Sequence, residues 1–500
     1  SAIAARRASG CTAARSNGVG KRVGQSVEVG AGENWITGGD DGCAGVTCLR
    51  ALADSLSRCD KMTIAICALT TTYNYSMKNS FVVSMLVAIA GSAAIALPAS
   101  SQTTIKVREL SAPIAVSTDT LGVRVSVRPL SDGRVLVNDI QRFRVLLYEP
   151  SLKTFSAALD SSGTSGALGG AGITIPSAHL IPMPGDSTMY LDVATRSLLT
   201  LDPHGKVAHV TALPRPGDIL TLSVGSIYGT PALDKAGRLV YQGTPPDQQR
   251  ALIELNRKMQ TEKSATGAGA ADSAPIVRAD FDTRKVDTLT TVKVIQQYSS
   301  VTVTRDARGN MTQKLTVNPT QTADEWGLLP DGTIAILRGH DYHIDWVDPD
   351  GKMRSSPKMA FDWKRLTDDG KAHVIDSLKP LFEKQMESVK PQEMRTADGV
   401  RLLKTEIELV PAKELPDYEP VIQPGAMKVD LEGNLWIVPR TAILSANGGL
   451  RYDVVNRKGE IFERVIVPKG RAIAAFEKGG TVILTNSQGA VTTIERVKLH

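Results

Sequence analysis

Thiols are missing from most of this chain. Its five cysteines, Cys11, Cys43, Cys48, Cys59 and Cys67, all precede residue 77 of 500. The long remainder therefore has no disulfide framework, no thiolate metal site and no cysteine nucleophile. Dense basic runs are missing too, although the formal net charge is +6. A nucleic-acid binder gathers Lys and Arg in a patch or stripe, so no nucleic-acid partner is expected. The G-x-S-x-G elbow, the P-loop and the H-E-x-x-H zinc helix are all absent. What is present is ordinary globular composition, 42% hydrophobic and 22% charged, over a length that can bury a large core.

The stretch "MKNSFVVSMLVAIAGSAAIALPASSQ" begins at Met77. Lys78 forms a short basic region, an apolar run extends from Phe81 to Leu97, and small residues follow toward Ser101. This is the layout of a secretory signal peptide over 77–101, with cleavage after Ala99 or Ser101. A retained membrane anchor is the competing reading, but the run is near the lower length limit for spanning. The expectation is a secreted or periplasmic protein without a stable membrane span. Residues 1–76 are rich in Ala, Gly, Ser and Arg and show no sustained periodicity. They read as a non-native or disordered leader with no packed domain.

From residue 102 onward the chain repeats itself. "VRPLSDGRVLVND" (127–139) is a strand, a tight turn and a second strand. "LIPMPGDSTMYLD" (180–192), "PALDKAGRLVYQG" (231–243), "LLPDGTIAIL" (328–337), "MKVDLEGNLWIVP" (427–439) and "AAFEKGGTVILTN" (474–486) have the same form. Gly133, Gly185 and Gly237 are spaced by 52 residues. Glycine recurs there because a turn residue with positive φ costs least without a Cβ. A second signature follows most copies: "RVLLYEPSLK", "SLLTLDPHGK", "YHIDWVDPDGK" and "LRYDVVNRKGE". Four antiparallel strands repeated about every 50 residues mark a β-propeller blade. The expected fold is all-β: a six-bladed β-propeller of four-stranded blades with helical insertions on one face. A pair of β-sandwiches with repeated hairpins is the competing fold. The sixth unit is one strand short. The β-rich segment 103–119 is expected to pair with it and remove the exposed edge.

Three insertions interrupt the units. Residues 245–274 read as a helix and then a flexible Gly/Ala/Ser loop, 299–324 as a hairpin, and 363–394 as a helix. Thr367 is placed to cap that last helix, Val374, Leu378, Phe382 and Met386 share one face, and Pro380 should disturb it. All three insertions are second-to-third loops or blade-to-blade connections, which leave a propeller from the same rim. The glycine turns occupy the other rim. Long structured loops on a rigid scaffold commonly carry binding.

Candidate binding residues fall at the corners between second and third strands. "RGHDYHIDW" supplies Arg338, His340, Asp341 and His343, residue types suited to metal or acid–base work. Asp139, Arg142, Asp192 and Arg196 end the corresponding strands of the first two units and are expected at the mouth of the central channel. Trp326, Trp346, Trp363 and Trp436 read as wedges between blades rather than a sugar platform.

Through "LSDGRVLVND", "LLPDGTIAIL", "VDLEGNLWIVP", "LDPHGK" and "VDPDGK", the chain from Thr103 to His500 resembles bacterial secreted six-bladed β-propellers of the NHL/TolB-like type. "FDWKRLTDDGK" and "YDVVNRKGE" look like an uncharacterised subgroup of that set. The resemblance implies protein-binding modules and a few enzymes, including metal-dependent lactonases and lyases. No metal-ligand set of those enzymes maps onto positions here. The expected function is a non-enzymatic, monomeric binding module for a protein, peptide or glycan, without a cofactor. The alternative is a hydrolase or lyase with a divalent metal at the channel mouth.

Overall fold

In a computed structural model, residues 105–160, 177–224, 229–269, 271–296, 298–387, 389–396, 399–445 and 448–499 are described. The segments read from sequence as a leader (1–76) and an export signal (77–101) lie outside them. Among the described residues, no helix is long and apolar enough to cross a membrane.

Six antiparallel four-stranded units follow one another along the chain. The first comprises Val125–Pro129, Val135–Asp139, Arg144–Tyr148 and Phe155–Leu159. The innermost strands of the other five are Leu180–Pro182, Ala232–Leu233, Glu325–Leu328, Met427–Val429 and Arg471–Glu477. The second strand of blade one, Val-Leu-Val-Asn-Asp, is buried throughout. Side chains alternate across a strand, so such a run needs a neighbour on each face. Val135 and Val137 pack with Ile483 and Ile494 of blade six, and Leu136 packs with Leu180 and Tyr190 of blade two. The same two-sided burial recurs at every seam. Leu191 meets Tyr241, Ile276 meets Ile336, Leu337 meets Ile437, and Val454 meets Val482. Six seams for six blades close the ring.

The ends of the propeller meet in its last blade. Ala115–Val116 pairs antiparallel with Val491–Lys498 and supplies the outer strand that blade six lacks. The preceding strand, Lys106–Glu109, goes further than the sequence suggests. It adds to blade five as a fifth strand, parallel to Ile461–Val467. Two blades are thus sewn by the same N-terminal segment.

Turn chemistry explains the sharp corners. In Asp430-Leu431-Glu432-Gly433-Asn434, the Asp430 carboxylate accepts the backbone N–H groups of Glu432 and Asn434 at 3.0 and 2.8 Å. Gly433 takes φ +85, where a Cβ would be strained. Asp202 and Asp234 hold their turns in the same way.

The three insertions are not separate embellishments. Their strands form one five-stranded sheet, ordered Ser264–Ala268, Ser300–Arg305, Met311–Val317, Gly399–Leu409, Gln392–Thr396. The Gly/Ala/Ser stretch expected as a flexible loop is its edge strand, because Ala265 and Gly267 pair with Val303 and Val301. Val301, Val303 and Leu315 face the helix Pro246–Thr261 through Leu255 and Met259. Ile407 and Leu409 face the helix Asp368–Glu387 through Val374, Leu378 and Phe382. Thr367 caps that helix, its Oγ1 accepting the Gly370 N–H at 3.2 Å. The helix runs on through Pro380. Of the tryptophans, Trp326, Trp346 and Trp436 are wedges in blade seams. Trp363 departs from that role: it is 38% exposed and packs edge-on against Phe361 and Tyr418.

Candidate functional site: the central chamber

The inner strands surround a chamber of about 620 Å³. The residue five places before each turn glycine lines it: Arg128, Leu180, Ala232, Gly327, Lys428 and Ala475. Four of these positions are small or apolar and two carry a cation. Ser131, Gly133, Asp186, Leu431 and Lys478 place its mouth among the glycine turns of the plain rim. Gly327 is required by a close approach, since a Cβ there would lie 2.6 Å from Val429 Cγ2.

Two guanidinium groups at the chamber are already engaged. Arg128 donates to the carbonyls of Pro129, Met183 and Ser187 at 3.1, 3.3 and 2.8 Å, tying blade one to the turn of blade two. Burial pushes its pKa down, and Asp186 partly opposes this. Asp186 in turn accepts the Ser131 N–H. Arg496 pairs with Glu477 at 2.8 Å and donates to the Gly133 carbonyl at 2.7 Å. Both therefore brace the walls.

Lys428 differs. Its side chain has no hydrogen bond or ion pair among the described residues, and it is only partly exposed. Loss of solvent pushes its ammonium below the usual lysine range, opposed by the charge of Glu325 on the adjacent inner strand. Glu325 is 7% exposed and accepts the Gly425 N–H at 2.7 Å. Burial raises its pKa to about 8. A desolvated lysine in the cavity wall, with a desolvated carboxyl on the adjacent inner strand, is a pattern found at functional sites.

None of the eight side chains proposed from sequence lines the chamber. They lie at the corners between second and third strands, one strand or more outward from the inner strands that line the chamber. Asp139 is fully buried, accepts the Gly122 N–H at 3.1 Å and pairs with Arg144 at 3.1 Å. Arg142 stands 3.9 Å from it and donates to the Thr120 carbonyl. Asp192 accepts from Ala194 N–H and Thr195 Oγ1 at 3.1 and 2.6 Å. Arg196 takes φ +55 at the corner, like Phe143 and Tyr342 in blades one and four. In blade four, Arg338 bridges Asp324 and Asp345, each at 2.7 Å. His343 lies between Asp341 and Asp345 at 2.6 and 3.1 Å. Burial would raise Asp345, but hydrogen bonds from Ser355 and Arg338 outweigh it and hold that carboxyl low. His340 is exposed. The structure gathers Arg338, Asp341 and His343 in one corner and leaves the pairs of blades one and two in their own corners.

Asp345, Glu325 and Lys428 were missed. The signal for Lys428 was in the repeat itself, as a lysine at a position held by Leu, Ala and Gly in four copies and by Arg128 in the first. Among the described residues, no group of three or more His, Cys, Asp or Glu side chains is placed to hold a metal ion.

No protein-family model matches the sequence, and no curated protein matches it. Solved structures align with most of it. The calcium-binding protein regucalcin from Agrobacterium tumefaciens is 12% identical, with TM-score 0.34 over 79% of this chain and 97% of that one. A gluconolactonase from Xanthomonas campestris is 10% identical, with TM-score 0.32 over 78% and 99%. Virginiamycin B lyase from Staphylococcus aureus is 8% identical, with TM-score 0.31 over 76% and 99%. Likenesses this remote say nothing of activity, and the fold rests on the chain's own sheets.

Proposed function

We propose that this protein is a binding propeller, exported by the signal at 77–101, that takes a compact, largely apolar ligand into the central chamber. The chamber carries the reading. All six inner strands contribute to its walls, and its volume falls within the range of about 300–1,000 Å³ common for ligand pockets. Leu180, Pro231, Leu328, Val429 and Phe476 supply apolar surface there. A glycan needs many polar partners to replace its hydration, so these walls favour an apolar peptide end or a free organic molecule. Lys428 adds one amine, with no hydrogen bond among the described residues, to meet a polar group of the ligand. In this reading the plain rim is the entrance.

The naphthalene dye 1-anilinonaphthalene-8-sulfonate, apolar with one anionic group, tests this by fluorescence titration. One saturable site is expected, weakened at least tenfold by Ala232→Phe, which fills the chamber. Displacement by a short apolar peptide, but not by free naphthalene, would identify a peptide ligand. Equal binding by Ala232→Phe at the same stoichiometry would refute the reading.

A further inference from the structure

We propose that Lys428 captures carbonyl compounds, its amine forming an imine with an aldehyde or ketone held in the chamber. The proposal rests on the binding reading above and names the ligand's reactive class. The geometry isolates this amine. Of the neighbouring cations, Arg128 and Arg496 brace the walls through hydrogen bonds, and Lys478 lies exposed at a turn. Of the carboxyls, Asp186 is held by Ser131 and Glu477 by Arg496. Glu325 accepts the Gly425 N–H, and burial pushes its carboxyl toward the protonated form. Among the described residues Lys428 makes no ion pair or hydrogen bond, and the chamber wall limits its access to water. An unpaired ammonium is unstable in such a place, and the neutral amine is the nucleophilic form. Apolar walls also keep bulk water from the imine once formed.

The step balances without an oxidant or reductant. The Nζ lone pair attacks the carbonyl carbon, and the C=O π pair moves onto oxygen. One amine proton passes to that oxygen, giving a carbinolamine. The C–O bond then breaks, and the oxygen leaves as water with the second amine proton. A C=N bond remains.

Benzaldehyde with sodium cyanoborohydride, applied to the full chain at neutral pH, traps the imine as a stable benzyl amine. Peptide mapping by mass spectrometry locates it. Lys428 is expected to react at least tenfold faster than exposed Lys235 and Lys478. Excess benzyl alcohol, which fits the same space but has no carbonyl, should slow Lys428 alone. Lys428→Met should lose the fast adduct; if that variant does not fold, the wild-type ratios decide. Labelling of Lys428 no faster than Lys478, while benzyl alcohol still shifts Trp326 fluorescence, overturns the imine and leaves the binding reading standing. Neither labelling nor shift overturns both.

Discussion

The ring and the layer on its rim are built on opposite principles. In the ring, a second strand such as Val135–Asp139 buries both faces, one against each neighbouring blade. In the inserted layer, the sheet buries one face under two helices. Its other face carries Thr302, Lys314, Lys404 and Glu406, with Lys314 paired to Glu408 and Thr266 bonded to Thr302. A closed ring leaves no blade without a neighbour, so its stability is shared. The layer is expected to open while the ring persists. Sub-global opening of this kind is general among proteins and follows local contact density.

The sharpest way to break that contrast is to open the ring. Deleting residues 102–119 removes the outer strand of blade six and the fifth strand of blade five. The expected outcome is loss of a single cooperative thermal transition and concentration-dependent aggregation, because an unpaired edge templates association. A soluble, cooperatively melting product would mean that the seam closes without its strand.

Next in size is a matched pair of core truncations. Ile336→Ala, in the seam between blades three and four, should destabilise the whole chain by about 2–5 kcal/mol in urea. Leu378→Ala, under the inserted sheet, removes a side chain of similar size. It should raise hydrogen exchange in 299–317 and 368–409 while blade amides keep their protection. If blade protection falls equally, the two regions are one cooperative unit.

The smallest expected effect concerns the chamber. The folded state raises the Glu325 pKa to about 8, above the ordinary value of 4.5. Its stabilising share is therefore complete below pH 4.5 and is lost as pH rises toward 8. Glu325→Gln should match wild type near pH 4.5 and exceed it by roughly 1–3 kcal/mol at pH 9. Parallel melting curves at both pH values would mean that the carboxyl is ionised in the folded protein.

Much of the ring was legible residue by residue. The glycine turns and the β-rich segment before blade one both announced themselves. The layer was legible only in part. The helix after Thr367 showed its cap and its apolar face, whereas Ser264–Ala268 looked like a loop because small residues carry little strand signal. The candidate site was the least legible. Charged corners such as Asp139 and Arg338 stand out in a sequence, yet they satisfy one another locally. Lys428 is one letter in an apolar repeat.

The sequence by itself determined the unit and its count. Strand period and turn glycines act over a few residues, and each copy carries them. Only the tertiary structure decided that Lys106–Glu109 joins blade five, that three distant insertions share one sheet, and that Lys428 stands unpaired beside Glu325. Those outcomes depend on which segments meet once the ring closes, and no local spacing encodes the approach of residues about 100 positions apart.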